Sequence, residues 1–205
     1  MKTPKSLIVG IGGASGVVYG VSVLKSLRSL GITTHLVLSK MAEVTLAHET
    51  HLKVDDVLAM ADAVHRIDDL AAPLASGSFR CLGMIIAPCS VRCLAEISNG
   101  TGANLMTRAA DVTLKERRRL VLMLRETPLS LSHIRNMEQV TLMGGIIAPP
   151  VPAFYTRPQQ IDDLIAHSVG RVLDLFDLDT GSFHRWKEPS TKLLPRQPRL
   201  QTSPT

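Results

Sequence analysis

Five short apolar runs punctuate this chain: SLIVGI (6–11), THLVLS (34–39), GMIIAP (83–88), LVLML (120–124) and GGIIAP (144–149). All are short, and GMIIAP combines small and β-branched residues, which reads as strand. They are near-continuous rather than alternating, the pattern of strands covered on both faces. Helical signals fill the intervals: Gly16 to Leu30 closed by Gly31, Lys40 to Glu49, 54–61, 90–98, 104–117 and 130–142. A short strand is expected at 63–67. The last helix is predicted from Pro158 to Phe176, with proline in its first turn and an apolar stripe from Ile161 to Phe176. Strands alternating with helices predict an α/β protein: an open, mostly parallel sheet with helices on both faces.

At 205 residues the chain supports one sizeable core. One domain is expected over 1–186, with a flexible or partner-docked tail at 187–205. That tail is rich in Pro, Ser, Thr and basic residues. Its Lys187, Lys192, Arg196 and Arg199 against Glu188 supply more than half of the net charge of +5. The body is therefore nearly balanced, and the charge does not indicate nucleic acid. Aromatic residues at 3% leave little for stacking bases. No apolar run reaches the roughly 18 residues of a membrane span. The N-terminus lacks the pattern of a secretory leader, so a cytoplasmic location is expected.

GIGGASG (10–16) follows the first strand and opens a helix, an arrangement suited to an anion. It is neither GxGxxG nor a P-loop. The second strand ends in Ser39-Lys40, without the acidic residue that a dinucleotide ribose needs. A mononucleotide such as FMN is favoured, and a plain packing turn is the alternative. The third strand ends in Pro88-Cys89-Ser90, followed by Val91, Arg92 and Cys93. Cys89 reads as a packing residue, because no ligand spacing for zinc is present. No metal is expected. LVLML runs into Arg125-Glu126, which aims a cation and a carboxylate at the carboxyl end of a strand. Arg108 and Lys115, seven residues apart, share a helix face two turns apart. Glu49 alone reads as a solvated carboxylate, and Arg117 to Arg119 as a solvated helix end. Tyr155, in the loop PAFYTRP, closes over a ligand or packs. Arg171 lies beside the last helix's apolar stripe, and Trp186 follows that helix.

Taken together, GIGGASG, SK at 39–40, ET at 49–50, SGSF, PCS, RAADVTLKERR, RETPL, PAFY and RVLDLF-to-RW resemble the flavin prenyltransferase family (UbiX-type) over roughly 5–187. The resemblance implies a Rossmann- or flavodoxin-like fold. It implies transfer of a dimethylallyl group from dimethylallyl monophosphate to reduced FMN, building a fourth ring. The prenylated FMN then serves a separate decarboxylase. FMN-binding roles fall on Gly13, Ala14, Ser15, Ser39, Ser90, Val91, Arg92, Cys93 and Arg125. Phosphate-binding roles fall on Arg108, Lys115, Tyr155 and Arg171, some serving a neighbouring copy in a dodecamer. Glu126 and then Glu49 are the expected proton-handling carboxylates, with Ser15 counted beside them. Cys93 departs from the threonine of many members and weakens one hydrogen bond to the flavin. Two other functions remain open at the level of sequence: an FMN-dependent cysteine-type decarboxylase, and a non-enzymatic FMN-binding partner subunit.

Overall fold

The structure is a computed structural model that describes residues 5–181; the expected tail at 187–205 and Trp186 lie outside them. Among the described residues, six strands form one sheet: β1 (Ser6–Ile11), β2 (Thr33–Leu38), β3 (Ala63–His65), β4 (Gly83–Cys89), β5 (Arg119–Leu124) and β6 (Ile146–Ile147). The spatial order is β3-β2-β1-β4-β5-β6, and every pairing is parallel. Without the three-residue edge strand β3, the order is that of flavodoxin; with it, the order is that of the doubly wound Rossmann sheet.

Among the described residues, seven α-helices accompany the strands: α1 (Val17–Ser29), α2 (Lys40–Glu49), α3 (Val54–Leu58), α4 (Val91–Ser98), α5 (Leu105–Lys115), α6 (Leu131–Leu142) and, after β6, α7 (Ile161–Asp174). Successive strand residues point to opposite faces. Leu7, Val9, Ile11, Ile85 and Val121 join α1, α2 and α7 in one core. Ile8, Met84, Ile86, Leu120 and Leu122 join α4, α5 and α6 in the other. Strands β1 and β4 are buried along their whole length, as their continuous apolar sequence requires. Each fully buried Leu or Ile there contributes roughly 1.5–3 kcal/mol. Helix α1 comes very close to β4: a Cβ on Gly20 would lie 2.3 Å from the Ala87 carbonyl oxygen.

Helix α3 stops at Leu58, β3 at His65 and α7 at Asp174, short of their expected ends, and two further boundaries differ for local reasons. Helix α7 begins at Ile161 rather than Pro158. The Asp163 carboxylate accepts hydrogen bonds from the Gln159 and Gln160 N–H groups and fixes the start there. Arg157 just before it has a left-handed φ of 54°. Ile161, assigned to the apolar stripe, is 75% exposed. Strand β6 is only two residues long, since Pro149 and Pro150 offer no N–H to extend the ladder.

Candidate functional site

The chain runs from β1 to β2 on one side, and from β3 it crosses back to β4 on the other side of β1. The crevice beyond their carboxyl ends is the topological switch point of the sheet. A cavity of about 460 Å³ lies there, within the range of small-ligand sites. Gly12 and Gly13 form its floor. A Cβ on Gly12 would lie 2.6 Å from the Pro88 carbonyl oxygen, and one on Gly13 2.3 Å from the Met41 Cβ. The Thr45 hydroxyl donates to the Gly13 carbonyl and ties this loop to α2.

Three helices begin at the cavity. Ser39, Ser90 and Asn104 cap α2, α4 and α5, their side chains accepting from the N–H groups of Ala42, Cys93 and Thr107. Helix starts present N–H groups with no partner inside the helix, together with a positive dipole end, so they suit an anion. Gly13, Ser39, Ser90, Arg92 and Cys93, all expected at the site, line the cavity. Ala14 and Ser15 continue the same loop, and Val91 is the first residue of α4; none of the three is among the lining residues. Below the cavity, the Cys93 thiol and complete burial together push the Cys89 thiol well up, so Cys89 is an unreactive packing group.

Sequence reasoning missed Lys40 beyond its motif, and also Met41, Ile67, Glu96, Asn104, Met106 and Thr107. Glu96 joins two cavity walls. Its carboxylate accepts from Arg92 Nε at 2.9 Å and from Asn104 Nδ2 at 3.1 Å. The Arg92–Glu96 spacing and the Asn104 cap were readable from the sequence. Ile67 reaches the cavity through a long connection that no periodicity announces.

Glu49 is not a merely solvated carboxylate. Its oxygens accept from the Gly16 N–H at 2.8 and 3.0 Å and from the Val17 N–H at 3.0 Å. Gly16 has a left-handed φ of 96° and no side chain to cap α1. The end of α2 thus supplies the cap that the glycine loop lacks.

The charged residues do not gather at the cavity. At the carboxyl end of β5, the Arg125 N–H donates to the Cys89 carbonyl while its side chain is exposed. Glu126 beside it is half-buried, and its carboxylate accepts from the Thr127 N–H. Arg108, in the first turn of α5, contacts the Ala75 carbonyl and Asp111. Lys115 lies seven residues on, about 10 Å along the axis at 1.5 Å per residue. It pairs with Glu116 beneath Gly77, toward the amino end of the sheet. Arg171 is ten residues into α7, about 15 Å from its start. That end of α7 leads to Phe176 and Asp177, which contact Arg119 at the first residue of β5. Lys115 and Arg171 therefore lie toward the amino end of the sheet, on helices that cover its opposite faces, and neither lines the cavity.

The arginine run differs from expectation. Arg118 donates to the carbonyls of Gly77 and Phe79 and straps the SGSF loop onto the end of α5. Among the described residues no cluster of three or more His, Cys, Asp or Glu is arranged for a metal. No described helix is long and apolar enough to cross a membrane.

The sequence profile of the Flavoprotein family matches residues 1–173. The flavin prenyltransferase UbiX of Neisseria meningitidis serogroup B is 55% identical over 183 residues, 89% of this chain and 97% of the relative. Among solved structures, AnUbiX (PadA1) in complex with FMN and dimethylallyl pyrophosphate matches with a TM-score of 0.89 at 55% identity, covering 91% of this chain and 99% of that one. A dodecameric FMN-dependent UbiX-like decarboxylase from Escherichia coli O157:H7 matches at 0.87 and 48% identity, covering 89% and 100%. Fold, cavity and profile define a flavoprotein. Within that class, the chain belongs to the UbiX flavin prenyltransferase family.

Proposed function

We propose that this chain is a flavin prenyltransferase, joining the dimethylallyl group of dimethylallyl monophosphate to reduced FMN and passing the product to a separate decarboxylase. The observation that carries this reading is the glycine- and serine-lined cavity at the switch point of a chain with this family membership. Its parts fit FMN: a floor that tolerates no Cβ, and helix starts that favour a phosphate. Gly13, Ala14, Ser15, Ser39, Ser90, Val91, Arg92, Cys93 and Arg125 are the residues assigned to hold it. Reduced FMN supplies the nucleophilic ring on which the prenyl group is placed.

The chain's own residues have three tasks. Arg108, Lys115, Tyr155 and Arg171 bind the ester phosphate and stabilise the charge it gains when the C–O bond breaks. Glu126, half-buried beside Arg125, is assigned the proton transfer. Glu49 holds the glycine loop through Gly16 and Val17 before any second role. Because Lys115 and Arg171 do not line their own chain's cavity, the phosphate site draws on neighbouring copies, and a dodecamer would supply them. Free Cys81, Cys89 and Cys93 fit a reducing, cytoplasmic setting.

Incubation with reduced FMN and dimethylallyl monophosphate, followed by mass spectrometry of the flavin, tests the proposal. A gain of one five-carbon unit is expected. A cysteine-type decarboxylase or a flavin carrier would leave the flavin mass unchanged, and that result rejects the reading.

A further inference from the structure

Residues 75–79 run along α5 and give three alternate carbonyls to arginines. Ala75 accepts from Arg108 Nε at 3.3 Å, Gly77 from Arg118 Nη2 at 2.8 Å, and Phe79 from Arg118 Nη1. Lys115 lies between the two arginines in the chain and takes none of these carbonyls. Its ammonium pairs with the Glu116 carboxylate against Gly77, where an added Cβ would lie 2.8 Å from Nζ and 2.2 Å from Glu116 Oε1. We propose that Arg118 is a positioning residue: by strapping the 75–79 loop onto the end of α5, it holds the Lys115 ammonium in place for the ester phosphate at a neighbouring copy's cavity. The assignment rests on the phosphate-binding role given above to Lys115.

Local backbone chemistry aims Arg118 at this loop. Helix α5 ends at Lys115, and Arg117 takes a left-handed φ of 55° where a glycine usually closes a helix. The Arg118 N–H then closes onto the Thr113 carbonyl and turns the chain. A non-glycine residue in that region is strained and persists only where its surroundings fix it. The two bonds from the Arg118 side chain are part of that fixing. A guanidinium presents its N–H groups as a rigid fork, so one side chain holds two carbonyls two residues apart; an ammonium is a point charge and does not. The Lys115–Glu116 pair is the weak member of the arrangement, with side chains 46% and 34% exposed. A phosphate dianion can displace Glu116 from it, while Arg118 stays committed to the loop. Arg118 therefore fixes, and Lys115 is left to exchange.

Two measurements on the full-length assembled protein test the assignment. In steady-state assays with saturating reduced FMN, Arg118→Gln should raise KM for dimethylallyl monophosphate roughly ten-fold, since displacing a binding group by about 1 Å is costly. The kcat and the affinity for FMN should be unchanged. Arg118→Lys keeps the charge without the fork and should recover only a small part. In a Lys115→Ala background, Arg118→Gln should add nothing further. An unchanged KM, whatever the urea midpoint does, overturns the proposal. So does full recovery in Arg118→Lys, which would mean that charge alone acts, or the same increment in both backgrounds. The second measurement needs no turnover: acetylation of lysines by acetic anhydride in protein loaded with oxidised FMN, read by mass spectrometry. Arg118→Gln should raise the rate at Lys115 and leave Lys25, on α1, as it was. An unaltered rate at Lys115 overturns the proposal. If wild-type protein leaves the flavin mass unchanged, prenyl transfer is rejected, while the rate at Lys115 still decides whether Arg118 positions it.

Discussion

The cavity at the switch point and the outlying cations are built on opposite principles. The cavity is made by one chain, largely from backbone and short side chains: two glycines, three capped helix starts and the Glu96 clamp. Its geometry is fixed by the sheet. The cations are long side chains on two helices, α5 and α7, partly exposed, and already engaged with Asp111, Glu116 or Asp174. Surface ion pairs of this kind are worth little, so they exchange readily for a phosphate. On the proposed reading, one chain presents the flavin site alone, whereas the substrate phosphate draws charge from neighbouring copies.

The largest expected effect sharpens the catalytic side of this contrast. Glu126→Gln should slow prenyl transfer by roughly 10²-fold or more, with FMN binding nearly intact by fluorescence titration. Turnover at the wild-type rate would remove Glu126 from proton transfer. On the cavity side, Gly13→Ala forces a Cβ against Met41. Overpacking of that kind costs about 1–3 kcal/mol, so FMN affinity should fall about ten-fold or more. Unaltered affinity would show that the floor does not touch the flavin.

Much of this contrast was legible in the sequence. Continuous apolar strands gave the parallel sheet, and glycine and serine at strand ends gave the cavity floor, because both follow from local backbone chemistry. The placement of Lys115 and Arg171 was less legible. Helical spacing puts Arg108 and Lys115 on one face, but it does not say that two turns carry Lys115 to the far end of the sheet. Arg118 looked like solvated charge because its partners, Gly77 and Phe79, are about 40 residues earlier in the chain.

Smaller effects test the supports of the cavity. Glu49→Ala removes the cap of α1 and should lower stability by about 1 kcal/mol, read as a shift in urea midpoint. An unshifted midpoint would leave the cap without structural weight. At the far edge of the sheet, His35 and His65 lie 3.1 Å apart, and burial lowers both below their ordinary value of 6.5. The unfolded chain then takes up protons at higher pH than the folded one. Their stabilisation is complete above about pH 6.5 and is lost as pH falls through the lower folded values. The urea midpoint should drop between pH 7.5 and 5.5, and His35→Phe should flatten that drop. A midpoint independent of pH in the wild type would contradict the lowered values.

The decisive measurement is subunit complementation. Gly13→Leu disables a chain's cavity and leaves its cations, whereas Arg171→Ala removes a cation and leaves the cavity. Each variant alone should be inactive. Co-assembled, an intact cavity on one chain meets an intact Arg171 on another, and prenylated flavin should reappear in the mass spectrum. If mixed assemblies that bind FMN stay as inactive as their parents, Arg171 serves its own chain's cavity, and the division between a one-chain flavin site and a shared phosphate site is wrong.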